Sequence, residues 1–113
     1  MLTIESLNAL GANTQEGLGR CFGNEAFYLR LVGMGLNDAA FDRLTAAKEA
    51  GDLKGVFEAS HALKGSIGNL SLTPLFEPLS RLTERTRNQE AGVEIDDLYE
   101  EIMDRLKAFR ALL

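Results

Sequence analysis

One side chain in this sequence of 113 residues is suited to nucleophilic chemistry near neutral pH, and it is the only histidine, His61. An imidazole with an ordinary pKa of about 6.5 is substantially neutral at pH 7 and keeps a free ring nitrogen. Lys64 follows three residues later, so on a helix its ammonium stands on the same surface, within reach of anything attached to the ring. Phosphorylation would add nearly two negative charges there, which a lysine point charge favours. An exposed histidine beside a lysine is, by itself, usually a solvated surface pair. The elements that position the two residues must carry the argument.

Leu53, Val56, Phe57, Ser60, Leu63, Ile67 and Leu70 recur at three- and four-residue steps, the period of one buried helical face. At about 100° per residue, His61 points roughly 120° away from the mean direction of that face, toward solvent. Gly65 and Gly68 lie on the same outward side and have no side chains to cover the ring. Each glycine inside a helix costs about 0.5 to 1 kcal/mol relative to alanine. Close packing of a neighbouring helix is one reason to accept that cost. Their position on the histidine side favours another, the approach of a partner protein, and makes Gly65 and Gly68 candidate partner-binding residues.

The string His61-Ala62-Leu63-Lys64-Gly65-Ser66, followed by Gly68-Asn69-Leu70, resembles the signature of the histidine-containing phosphotransfer (HPt) domain. Glu16-Gly17-Leu18 with Arg20 and Gly23, the Phe27-Tyr28 pair, and Ala50-Gly51-Asp52 are also similar to family members, so the resemblance covers about residues 14 to 87. It departs from the family where the glycine after Asn-Leu is Ser71, and where a glutamate often follows the leucine at position 82 but Thr83 stands here.

Composition narrows the classes. A chain of this length with 45% hydrophobic residues is expected to form one domain over residues 1–113. The net charge of −5, without a cluster of lysines and arginines, argues against nucleic acid as a partner. No apolar run suits a membrane span and no secretory signal pattern opens the chain, so a cytoplasmic protein without membrane association is expected. One cysteine, Cys21, cannot form an internal disulfide and is read as a small core residue. With one histidine and one cysteine no Cys/His metal site assembles, and neither metal nor cofactor is expected.

The elements read as helices throughout. Thr3 and Gly11 bracket a first short helix, Asn13 and Gly23 a second, and together these form a lid. Asn24 starts a third, with Phe27, Leu31 and Met34 on one apolar face until the phase breaks at Gly33-Met34-Gly35. Asn37-Asp38 offers a new cap before Phe41, Leu44 and Ala47, predicting two helices or one kinked helix. Gly51-Asp52 then makes a tight turn into the histidine helix. Leu72, Leu75, Phe76, Leu79 and Leu82 stripe the next helix, where Pro78 predicts a bent first turn or a later start. Asn88 to Gly92 read as a loop, and Ile95, Leu98, Tyr99, Ile102, Leu106 and Phe109 face inward on the last helix. The fold class predicted is all-α, an up-down-up-down four-helix bundle with short N-terminal capping helices, which the resemblance also implies. In that bundle the helix after the histidine brings Thr83 or its neighbours opposite the ring as a possible imidazole partner. Arg87, one turn further, is a second candidate and a candidate partner contact.

The resemblance implies a phosphorelay intermediate: His61 accepts a phosphoryl group from a receiver-domain aspartate and passes it to another, Lys64 stabilises the charge, and the receiver supplies the acidic pocket and Mg²⁺. The partners implied are receiver domains of response regulators or hybrid histidine kinases, met by a monomer. The chain has no Gly-rich phosphate loop and no set of metal-binding carboxylates around His61, so no autonomous kinase or other enzyme activity is expected. The rival reading is a helical interaction module that docks receivers without being phosphorylated. A histidine-nucleophile hydrolase fits poorly, since neither an orienting acid nor an oxyanion site is recognisable.

Overall fold

The computed structural model describes residues 1–88 and 92–113, with only the backbone considered at Val93. Every regular element among the described residues is helical: α1 (Ile4–Ala9), α2 (Thr14–Arg20), α3 (Glu25–Leu36), α4 (Ala40–Glu49), α5 (Leu53–Asn69), α6 (Thr73–Thr86) and α7 (Val93–Arg110). The protein is all-α. The expected loop at 88–92 falls largely on residues 89–91, outside the described residues.

Helix starts follow local capping chemistry. The Thr3 hydroxyl accepts from the Ser6 N–H at 3.0 Å while Ser6 Oγ accepts from the Thr3 N–H at 2.9 Å, closing a reciprocal cap on α1. Asn13, Asn24 and Asp52 each accept from the backbone N–H three residues on, at 3.2, 3.0 and 3.0 Å, opening α2, α3 and α5. Asp38 accepts from the Ala40 N–H at 2.8 Å, so the expected break after α3 is a true division into two helices. Gly51, at φ +68, supplies the left-handed residue in the three-residue turn from α4 into α5.

α5 packs most extensively against α4 and α6, α7 lies against α6, and α3 touches both α5 and α7. The core between them holds Leu36, Phe41, Leu44, Leu63, Ile67, Leu79, Leu82, Ile102, Leu106 and Phe109, all but excluded from solvent. Cys21 is buried beside this core, as its apolar character predicts. The lid sits over the turn between α5 and α6: Leu7 is fully buried, and the Asn13 N–H donates to the Ser71 carbonyl at 2.9 Å.

Two expectations are corrected. The buried face of α3 carries Tyr28, Val32 and Leu36, whereas Phe27 and Met34 are 46% and 63% exposed. The choice is made by close approach to α5: a Cβ on Gly35 would stand 2.4 Å from Leu70 Cδ1. Of the two outcomes expected at Pro78, the later start is excluded, since α6 runs from Thr73 through the buried proline to Thr86. The Pro74 carbonyl, which a proline four residues on cannot serve, accepts from Arg105 Nη1 of α7 at 2.6 Å.

Candidate functional site

His61 stands at the midpoint of the 17-residue α5. Val56, Ala59, Ser60, Leu63 and Ile67 turn inward, while His61, Ala62 and Gly65 are exposed and Lys64 and Gly68 are half-buried. The count of about 100° per residue therefore places the imidazole on the outside of the bundle. Around it opens a groove of about 550 Å³ lined by His61, Lys64, Gly65, Gly68 and Phe76, and closed at its far end by Glu16 and Arg20 of the lid.

The two glycines differ. A Cβ on Gly65 would meet nothing within 4 Å, so that position is open to an approaching surface. A Cβ on Gly68 would lie 3.2 Å from Phe76 Cε2, so this glycine lets the Phe76 ring of α6 lie close against α5. The close-packing reading thus holds for Gly68, while at Gly65 the structure shows open space.

The end of the groove is tied down by charge and backbone. Arg20 Nη1 donates to the Gly68 and Asn69 carbonyls at 2.9 and 3.0 Å, adding a side-chain donor to the C-terminal turn of α5, where the Gly68 carbonyl also accepts from the Ser71 N–H at 3.0 Å. The same atom donates to Ser71 Oγ at 3.0 Å, and Ser71 Oγ donates to Glu16 Oε1 at 2.7 Å. Ser71 has φ +59, the left-handed conformation for which glycine is the usual choice, and its hydroxyl network holds it there. Tyr28 Oη donates to the Leu70 carbonyl at 2.7 Å; burial pushes its phenol up to about 12.

Thr83 does not serve the imidazole. It is fully buried, and its hydroxyl lies 2.8 Å from the Leu79 carbonyl and 3.2 Å from Ser60 Oγ. It braces the residue before the histidine instead of the ring. The neighbour that faces the site is Glu84, whose carboxyl is held below the usual range chiefly by the hydrogen bond and charge of Arg87, with smaller effects of Lys64 and His61. Arg87 pairs with Glu84 at 2.8 Å, and its Cζ lies 5.3 Å from the centroid of the Phe57 ring. That ring in turn stacks on His61, with centroids 5.6 Å apart and planes 12° from parallel.

Phe57 is thus the residue that sequence reasoning missed, while Glu84 was reached only as an unnamed neighbour of Thr83. The apolar period counts Phe57 among the inward positions, but it lies half-buried at the edge of that face; its spacing of four from His61 is the signal that identifies it. Among the described residues no group of three His, Cys, Asp or Glu side chains converges as a metal site would require. No described helix is long and apolar enough to cross a membrane.

Neither a curated protein nor a solved structure matches the chain. The family model of the Hpt domain matches residues 35–110, which include α4 to α7, His61 and the open glycine face. The chain therefore belongs to the Hpt domain family, whose members take part in histidine phosphotransfer in phosphorelays, act as phosphocarriers rather than enzymes, and interact with receiver domains.

Proposed function

We propose that residues 1–113 act as a single phosphocarrier domain, cytoplasmic and monomeric, in which His61 takes a phosphoryl group from a receiver aspartate and delivers it to another. The observation that carries this reading is the exposed imidazole at the middle of α5, with Lys64 beside it and no side chain at Gly65 to keep a partner away. The lone pair of the unprotonated ring nitrogen forms the N–P bond as the P–O bond of the acyl phosphate breaks. The electrons of that bond stay with the receiver carboxylate, and the proton on the other ring nitrogen stays in place. Lys64 offsets charge on the phosphoryl oxygens, while the receiver supplies the metal and acidic pocket. Gly65, Gly68 and Arg87 belong to the surface that the receiver covers.

The test is incubation of the purified protein with a panel of receiver domains carrying labelled phosphoryl groups, beside a control with labelled ATP alone. Label is expected only from receivers, in a linkage lost in acid and stable in base, as a phosphoramidate is. Autophosphorylation from ATP at the rate of a histidine kinase would overturn the reading. Receiver binding without any label transfer would replace it with a docking module.

A further inference from the structure

Among the described residues no side chain hydrogen-bonds the imidazole of His61, yet the plane of the ring is defined by a face contact. Phe57, one helical turn earlier, lies parallel to it within 12° at a centroid distance of 5.6 Å. Such offset stacks are favourable because the edge of one ring meets the electron-rich face of the other. Phe57 is itself restrained: it is half-buried, and the Arg87 guanidinium rests 5.3 Å from its centroid while paired with Glu84. A line of contacts therefore joins the end of α6 to the reacting ring on α5.

We propose that Phe57, braced by Arg87, is the positioning residue that sets the plane of the His61 imidazole for phosphoryl transfer. This rests on the reading of His61 as phosphocarrier. Both ring nitrogens and the reactive lone pair lie in the plane of the imidazole, so a contact to its face restrains rotation without occupying either nitrogen. A hydrogen-bonded partner would occupy one. In-line displacement requires the lone pair to point along the breaking P–O bond, so the restraint acts on the transfer step and leaves docking unaffected. The contact also survives the reaction, because the N–P bond forms in the ring plane.

The experiment pairs a structural readout with a kinetic one. His61 is the only histidine, so its ring protons are identified without assignment work in a carbon–proton correlation spectrum. In the wild type they are expected to carry the upfield displacement of a neighbouring aromatic face, which Phe57→Leu abolishes and Phe57→Tyr keeps. Rapid-quench transfer from a labelled receiver is expected to fall about three- to tenfold at saturation in Phe57→Leu, the range an aromatic pair's energy corresponds to, with the half-saturating receiver concentration unchanged. Phe57→Tyr should restore the rate. Phe57→Met is a second variant without a ring face, used if Phe57→Leu melts early. Unchanged His61 ring signals in Phe57→Leu and Phe57→Met would overturn the stack, and wild-type transfer in them, or a loss confined to half-saturation, would overturn its role. A wild-type protein that accepts no label from any receiver, with the ring displacement present, would instead overturn the phosphocarrier reading.

Discussion

Arg105 donates a 2.6 Å hydrogen bond to the carbonyl of Pro74, the acceptor stranded by Pro78 one turn later in α6. A proline inside a helix removes one backbone donor, and an unpaired buried carbonyl costs about 1 to 3 kcal/mol. The repair comes from a different helix. Arg105 also approaches Glu101 at 3.5 Å, but a half-exposed pair of that kind is worth little.

Arg105→Met is therefore expected to lower stability by about 1 to 2 kcal/mol. Pro78→Ala restores an N–H that can serve Pro74, so in that background the same substitution should cost far less. Urea denaturation of the four proteins in a double-mutant cycle measures the coupling. Strict additivity would show that the Arg105 contact does not compensate for the proline.

Tyr28 makes stability fall at high pH. Its folded pKa of about 12 lies above the unfolded value of about 10, so its contribution is complete below pH 10 and is lost as pH rises through 12. Tyrosinate absorbance of the wild type minus that of Tyr28→Phe should give a single step near the upper value. A step at or below 10 would contradict the burial argument. Tyr28→Phe also leaves the Leu70 carbonyl without its donor, at a cost of about 1 to 3 kcal/mol, and should flatten the loss of stability between those pH values.

The roles proposed for His61 and Lys64, nucleophile and helper, should separate in size of effect. His61→Gln keeps a polar side chain at an exposed helical position, so stability should change by no more than about 0.5 kcal/mol while transfer is abolished. Lys64→Ala should slow transfer by up to about fivefold, the worth of one partly screened charge. Base-stable label in His61→Gln, or complete loss in Lys64→Ala, would reverse the assignment.

Gly65 and Gly68 should respond differently to added bulk. Gly65→Gln has open space and better helix propensity, so the melting temperature should hold or rise slightly while transfer falls about tenfold or more. In Gly68→Ala the propensity gain is set against a contact at 3.2 Å to Phe76, so no net stabilisation is expected. Calorimetry and receiver-transfer assays on both variants decide. Wild-type transfer by a well-folded Gly65→Gln protein would remove Gly65 from the docking surface.

What was legible in the sequence was local. Thr3, Asn13, Asn24 and Asp52 cap their helices with their own side chains, and no tertiary information is needed to read them. The exposure of His61 followed from counting, because α5 has one strongly buried stripe. α3 defeated the same method because it is apolar on two sides, and only the approach of Leu70 to Gly35 selects which side is buried. Thr83 was one residue out of register with the site; a single step turns a side chain through about 100°, from Glu84 outside to Thr83 inside. Arg87 was placed near His61, but its contact runs through Phe57. The donor that rescues Pro74 lies in another helix, 31 residues away in sequence. Composition and spacing carry no trace of such a contact.

The placement of His61 at the middle of α5 has a consequence for group-transfer potential. A helix offers free N–H groups and the positive end of its dipole only at its first turn, about two turns before this residue. A phosphoryl group on His61 would meet solvent, Lys64 and whatever partner is docked, with no fixed cradle of backbone donors. Its free energy would stay close to that of a phosphoramidate in water, so the linkage remains one from which transfer is downhill. Had the histidine stood at a helix N-terminus, the same bond would have been stabilised by the protein that holds it, and the carrier would have become a store.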